Sequence, residues 1–121
     1  MRMSKRTACR FTRCGSSDGP IGLAQFDVHR LKASDSLVVD CQSGLLAHLN
    51  SRFVVPLIPR ERAPAPAQRL NPIIAILDRD HVMVTQFAAA VPQSELGDIV
   101  TSLASRSFEI IGALDVLLSG V

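Results

Sequence analysis

The sequence predicts a mainly β domain: a small, strongly bent antiparallel sheet or barrel with one C-terminal helix laid across it. Three observations lead there. Short apolar–polar alternations recur from Gln25 to Phe87, clusters of Gly, Pro, Ser and Asp separate them, and the apolar period lengthens after Pro92. About five strands and one helix in so short a stretch make a β layer closed by a helix.

Each element has its own reason. Gln25-Phe-Asp-Val-His-Arg-Leu31 places Phe26 and Val28 on one face and Asp27 and His29 on the other, as in a half-buried strand. Lys32 to Ser36 makes the turn. Leu37 to Gln42 is the second strand, stopped by Ser43-Gly44. Its alternation sets Cys41 beside Leu37 and Val39 and opposite Asp40, hence in the core. Arg52-Phe-Val-Val-Pro-Leu-Ile58 is the third, where Pro56 has no N–H for a ladder and marks an edge or a bulge. Pro59 to Gln68, with Pro64 and Pro66 among alanines and Arg60, Glu61 and Arg62, reads as an exposed stiff connector of polyproline character rather than a ligand for a proline-binding domain. Ile73-Ile-Ala-Ile-Leu77 and His81-Val-Met-Val-Thr-Gln-Phe87 flank Asp78-Arg79-Asp80 as a hairpin.

Beyond Pro92, Ser94 to Leu103 suggests a short helical turn and Ser105 to Leu118 a full helix. Phe108, Ile111, Leu114 and Leu118 form its apolar stripe, with Arg106, Glu109 and Asp115 off it. Gly112 costs about 1 kcal/mol against Ala inside a helix, which predicts close packing there.

The charge divides the chain. Residues 1–23 hold Arg2, Lys5, Arg6, Arg10 and Arg13 against Asp18 alone, a net +4. Of the 13 Lys/Arg and 11 Asp/Glu in the whole chain, eight basic and ten acidic therefore fall in residues 24–121, a net −2. The leading segment lacks periodicity and ends in the breakers Gly15-Ser-Ser-Asp-Gly-Pro20, so residues 1–23 read as a tail and 24–121 as the domain. No apolar stretch follows the basic start, which argues against a secretory signal, and no apolar run approaches the roughly 18 residues of a membrane span. Three cysteines, an odd number without framework spacing, suit a reducing cytoplasm.

Motif chemistry is sparse. Cys9 and Cys14 lack the two further ligands that a structural zinc site takes and read as incidental thiols. A nucleophilic pair of Cys41 with His48 or His81 competes with the plainer reading of Cys41 as a buried thiol. Asp78, Asp80 and His81 have metal-binding side chains but read as a turn, so no metal and no cofactor is expected. With no Gly-rich phosphate loop and no paired-carboxylate signature, the motifs point to no enzyme. The absence of Trp and Tyr removes the residues most used for base stacking and interface anchors.

The residues themselves carry a resemblance: Ala24-Gln-Phe-Asp-Val28, Leu37-Val-Val-Asp-Cys-Gln-Ser43, Arg52-Phe-Val-Val-Pro-Leu57, Asn71-Pro-Ile73, Ala89-Ala-Val-Pro92 and Ser119-Gly-Val121. From Gln25 to Val121 the chain resembles CcdB, the toxin of a bacterial toxin–antitoxin pair, with a shortened first hairpin at Lys32 to Ser36. The resemblance implies an SH3-like barrel of short antiparallel strands with a C-terminal α-helix, a fold shared with the MazF-type ribonuclease toxins. It implies a homodimer that is not an enzyme. Such a toxin binds the A subunit of DNA gyrase and traps the cleaved DNA complex. A CcdA-like antitoxin neutralises it, and the pair binds operator DNA to repress its own operon.

Residue by residue, the gyrase-facing set of the family falls on Leu45 and Leu46 (isoleucines there), Asp115 (Asn there), Leu118 (Phe there), Ser119 (Trp there), Gly120 and Val121 (Ile there). The antitoxin-facing set falls on His29 and Leu31, where the family has tyrosines. Ser supplies almost none of the contact of a Trp, an anchor of roughly 200 Å², so the resemblance implies weak poisoning. The same leucines also suit a core or a dimer seam, and Gly120 and Val121 a frayed end. Two other readings stand beside it: a MazF-like ribonuclease, which needs a basic groove that an acidic body does not suggest, and a non-toxic decoy that binds antitoxin alone. Family members begin about one residue before the Gln-Phe strand. Leu23 is therefore the expected start, with residues 1–22 either translated upstream sequence or a basic arm for operator phosphates.

Overall fold

The structure, a computed structural model, describes residues 24–120. The tail expected at residues 1–23 lies outside them, as does Val121. One antiparallel sheet is built from β1 (Asp27–Leu31), β2 (Leu37–Asp40), β3 (Ser51–Pro59), β4 (Ile73–Ile76), β5 (Arg79–Met83), β6 (Ala89–Pro92) and β7 (Leu96–Ser102). The helix α1 (Ser107–Ser119) follows. Strand order is β4-β5-β3-β2-β1-β7, with β6 also on β3. The nine-residue β3 changes partner along its length: Ser51 to Val54 face β6, Leu57 to Pro59 face β5, and β2 runs along its other edge. Sharing one strand between two ladders bends the sheet into a half-barrel.

Both faces of that bend are packed. On one, Val28, Val39, Val55, Leu57, Ile74, Ile76 and Met83 meet Leu103 and the helix residues Ile110 and Ala113. Cys41 sits in this core beside Leu37 and Val39, as the alternation predicts. On the other face, Val38, Val54 and Leu96 pack with Leu31 and Val91. Burial on both faces corrects the half-exposed reading of β1, because β7 runs along its edge and Asp27 and His29 are covered.

Further corrections share one cause, pairing across long sequence separations. Among the described residues the sheet has seven strands rather than about five. Where a helical turn was expected at Ser94 to Leu103, the chain makes only a 3-10 turn at Gln93–Glu95 and then enters β7. Gly97 and Asp98 weaken the local strand signal, but pairing with β1 overrides it. A Cβ on Gly97 would stand 2.8 Å from the Arg30 carbonyl, so a glycine lets the two backbones meet. Pro56 is not at an edge: it sits opposite Val38 inside the sheet. Its carbonyl accepts from Val84 N–H at 3.0 Å, so its nitrogen faces the gap between the β6 and β5 ladders, where no strand asks for a donor.

The expected hairpin exists with a tighter turn. Leu77 and Asp78 alone make it, at φ 52° and 66°, the positive pair a type I′ turn requires, and Arg79 and Asp80 belong to β5. β5 ends at Met83, and Thr85–Phe87 is a 3-10 turn rather than strand.

The helix corrects its predicted face. Ile110 and Ala113 are buried and Leu114 packs behind them, whereas Phe108 is 94% exposed and Ile111 and Leu118 also face outward. Apolar residues occupy nearly every side of α1, so periodicity does not select the stripe that docks. Gly112 has open space where its Cβ would be, and no close packing requires it.

Candidate functional site

The strand end that carries the Val-Asp-x-Gln-Ser motif is built around a buried ion pair. Asp40 and Arg52 have fully buried side chains; Asp40 Oδ2 accepts from Arg52 Nε and Nη2, each at 2.8 Å, a two-pronged contact on one oxygen. Asp40 Oδ1 accepts the Gln42 N–H at 3.0 Å, which turns the chain out of β2. Arg52 Nη2 reaches the Gln42 carbonyl at 3.4 Å, while its Nη1 has no partner among the described residues. Two charges removed from water are tolerable only when paired in this way.

Beyond Gln42 the chain is pinned from two sides. The Gln42 side chain accepts the Phe53 N–H at 3.0 Å and donates to the Leu46 carbonyl at 3.1 Å. Ser43 Oγ accepts the Leu45 N–H at 3.2 Å and starts the 3-10 turn Gly44–Leu46. From the β6–β7 connection, Gln93 Nε2 donates to the carbonyls of Ala47 at 3.2 Å and Leu49 at 3.1 Å. On this frame Leu45 stands 89% exposed, with Leu46 and Leu49 exposed beside it.

The second group of predicted residues closes α1. Asp115, Leu118 and Ser119 share its last turn, and Leu118 is 79% exposed. Ser119 Oγ donates back to the Asp115 carbonyl at 2.7 Å, so its hydroxyl is spent on the helix itself. Gly120 ends the helix at φ 78°, its N–H on the Val116 carbonyl, in the left-handed conformation that favours glycine. Thus Leu45 and Leu46 are grouped on one turn, and Asp115, Leu118, Ser119 and Gly120 on one helix end.

The residues matched to an antitoxin surface are placed differently. His29 is only 2% exposed, its Nδ1 3.2 Å from the Gly97 carbonyl, and it offers no ring at this chain's surface because β7 covers it. Leu31 is half-buried against Val38, Val54 and Leu96.

Electrostatics separates core from chemistry. Burial, and then the neighbouring Asp40, push the Cys41 thiol up to about 12, which keeps it protonated and poorly nucleophilic. Burial raises Asp27 to about 7; a backbone hydrogen bond at Ala24 opposes this, and Asp40 adds to it. His81 is buried with Nδ1 on the Arg79 carbonyl, and Asp80 pairs with Arg60 at 3.6 Å, so the Asp78, Asp80 and His81 side chains do not converge. Among the described residues no group of three or more His, Cys, Asp or Glu is placed to hold a metal, and no helix is long and apolar enough to cross a membrane.

Sequence reasoning missed Arg52 and the two glutamines. Arg52 is the second residue of a strand that is apolar from Phe53 onward, and stands two residues before Val54, the partner of Asp40 across the ladder. An arginine at that offset was the available signal. Gln93 lies more than forty positions from its acceptors, and no local pattern reveals it.

A family described as CcdB protein matches residues 25–120. Among solved structures, the chain is similar to the Mycobacterium tuberculosis toxin MazF-mt6. The identity is 16% and the TM-score 0.62, over 74% of this chain and 92% of that one. It is also similar to an endoribonuclease in complex with its cognate antitoxin from Mycobacterial species. There the identity is 14% and the TM-score 0.65, over 80% of this chain and 95% of that one. At such identities the shared property is the fold.

Proposed function

The chain belongs to the CcdB family, the toxin side of toxin–antitoxin pairs, and from that premise we propose that it is a non-enzymatic inhibitor of DNA gyrase. As a homodimer it binds the A subunit and traps the cleaved DNA complex. The observation that carries this reading is the pair of uncovered apolar groups, Leu45 with Leu46 on a pinned turn and Leu118 at the helix end, at the positions the family turns toward gyrase. Apolar side chains left in water on a braced backbone are what a partner buries.

Ser119 moderates the toxin. Its hydroxyl bonds to Asp115 and presents no flat anchor, so poisoning is weak in the unmodified chain. A CcdA-like antitoxin is the natural neutraliser, and a neighbour of the same fold has been solved with its own cognate antitoxin. In this chain the antitoxin meets Leu31 and the exposed turn Lys32 to Ser36 that follows it, since His29 is covered. Operator DNA is bound only through the antitoxin complex.

Expression in a gyrase-sensitive host, with and without Ser119→Trp, tests the proposal alongside a cleavage assay on purified gyrase and an RNA-cleavage control. Weak killing that Ser119→Trp strengthens, with accumulation of cleaved DNA, is expected. Killing accompanied by RNA cleavage and intact gyrase turnover sinks it in favour of a ribonuclease. Antitoxin binding with neither activity identifies a decoy.

A further inference from the structure

We propose that Gln42 and Gln93 are positioning residues, which hold the turn carrying Leu45, Leu46 and Leu49 in one conformation before any partner arrives. The inference rests on the gyrase reading for the identity of that partner. It stands on the geometry for the rest.

The clamp is two-sided and uses both ends of one amide. Because the Phe53 N–H must donate, the Gln42 atom it meets is the carbonyl oxygen, which leaves the NH₂ for the Leu46 carbonyl 3.1 Å away. Gln93 meets two carbonyls, those of Ala47 and Leu49, and therefore also presents its NH₂. Between these points the turn has short-range bonds of its own, Leu45 N–H to Ser43 Oγ, Leu46 N–H to the Ser43 carbonyl, Ala47 N–H to Gly44 and Leu49 N–H to Leu46, and just beyond them the Gln93 N–H donates to the Asn50 carbonyl at 2.8 Å. One glutamine comes from two residues beyond the end of β2 and the other from the connection after β6. The turn is thereby tied to both strands that flank β3 at its start.

Satisfying the outer carbonyls is not what the glutamines are needed for. The bonds to the Leu46 and Leu49 carbonyls are exposed, where water serves as well as an amide does, while those to the Ala47 carbonyl and from the Phe53 N–H lie partly buried. What the glutamines remove is freedom. A loop such as residues 41–50, with its exposed leucines, samples many conformations when unbraced, and each one not matching a partner lowers the affinity by the fraction of time spent in it. Fixing it beforehand shifts that entropy cost from binding to folding.

Full-chain variants Gln93→Leu, Gln42→Met and Leu45→Ala test this by two measurements. One is backbone amide exchange at Leu46, Ala47 and Leu49 in the free protein, and the other is binding of purified gyrase A subunit. Gln93→Leu and Gln42→Met are expected to speed exchange about tenfold and to weaken binding about tenfold, largely through slower association. Leu45→Ala is expected to weaken binding with exchange unchanged. Gln93 takes no side-chain part in the sheet, so its variant keeps the proposal testable should Gln42→Met fail to fold. Unchanged exchange in the folded glutamine variants overturns the proposal, as does faster exchange with unaltered affinity. Failure of the unmodified chain to bind gyrase A overturns the gyrase reading instead, and exchange alone then decides the clamp.

Discussion

The turn carrying Leu45, Leu46 and Leu49 and the outer face of α1 both expose apolar side chains, yet they rest on opposite foundations. Beneath the turn lies a polar frame: the Asp40–Arg52 pair, two glutamine amides and the Ser43 hydroxyl. Beneath the helix lies hydrocarbon, with Ile110 and Ala113 set into Val28, Val39, Val55 and Met83. A polar frame fixes direction, because each bond has an angle and one acceptor. An apolar seat fixes contact area while leaving the far side of the helix unconstrained in composition.

The contrast can be broken most sharply at its polar end. Arg52→Ala leaves Asp40 buried without its cation and is expected to cost about 3–5 kcal/mol in urea unfolding. Amide exchange in residues 44–50 should rise with it; a loss below about 1 kcal/mol would mean that the pair is not the foundation of the turn. At the apolar end, Ile110→Ala is expected to cost about 2–5 kcal/mol by the same measurement while the turn amides keep their exchange rates.

A smaller effect lies beside the ion pair. The folded pKa of Asp27, about 7, exceeds its ordinary value of 3.8, so the folded state holds a proton that the unfolded chain releases. Stability from this group is full below about pH 4 and is lost as the pH rises toward 7. Asp27→Asn should flatten that decline and, near pH 8, stabilise the chain by on the order of 2 kcal/mol, read from urea midpoints across pH. A steeper decline in the variant contradicts the assignment. The smallest effect is expected at Phe108→Ser, within about 0.5 kcal/mol, since that ring is 94% exposed among the described residues. A large loss there would return the helix to its predicted stripe.

Much of this was legible locally. The strands β1 to β5, the turn after Leu31, the place of Cys41 and the existence of the last helix follow from alternation and breakers. The Val-Asp-x-Gln-Ser and Val-x-Pro-Leu motifs carry the family, and the fold explains why they stand together: Asp40 and Gln42 of the first bond to Arg52 and Phe53, which lead into the second. Pro56 misled because its rule concerns a missing donor. The tertiary arrangement supplied a place where none was wanted.

By itself, the sequence determined a mainly β chain with a terminal helix and the family to which it belongs, because period, breakers and motif are written within a few neighbouring residues. Tertiary structure alone decided that β7 is a strand, that His29 lies beneath it, and that Ile110 rather than Phe108 enters the core. A helix apolar on nearly every side carries no preference for which side docks, and a strand with Gly97 and Asp98 gains its state only from the β1 edge beside it. Those choices belong to residues tens of positions apart, brought together only when the sheet closes.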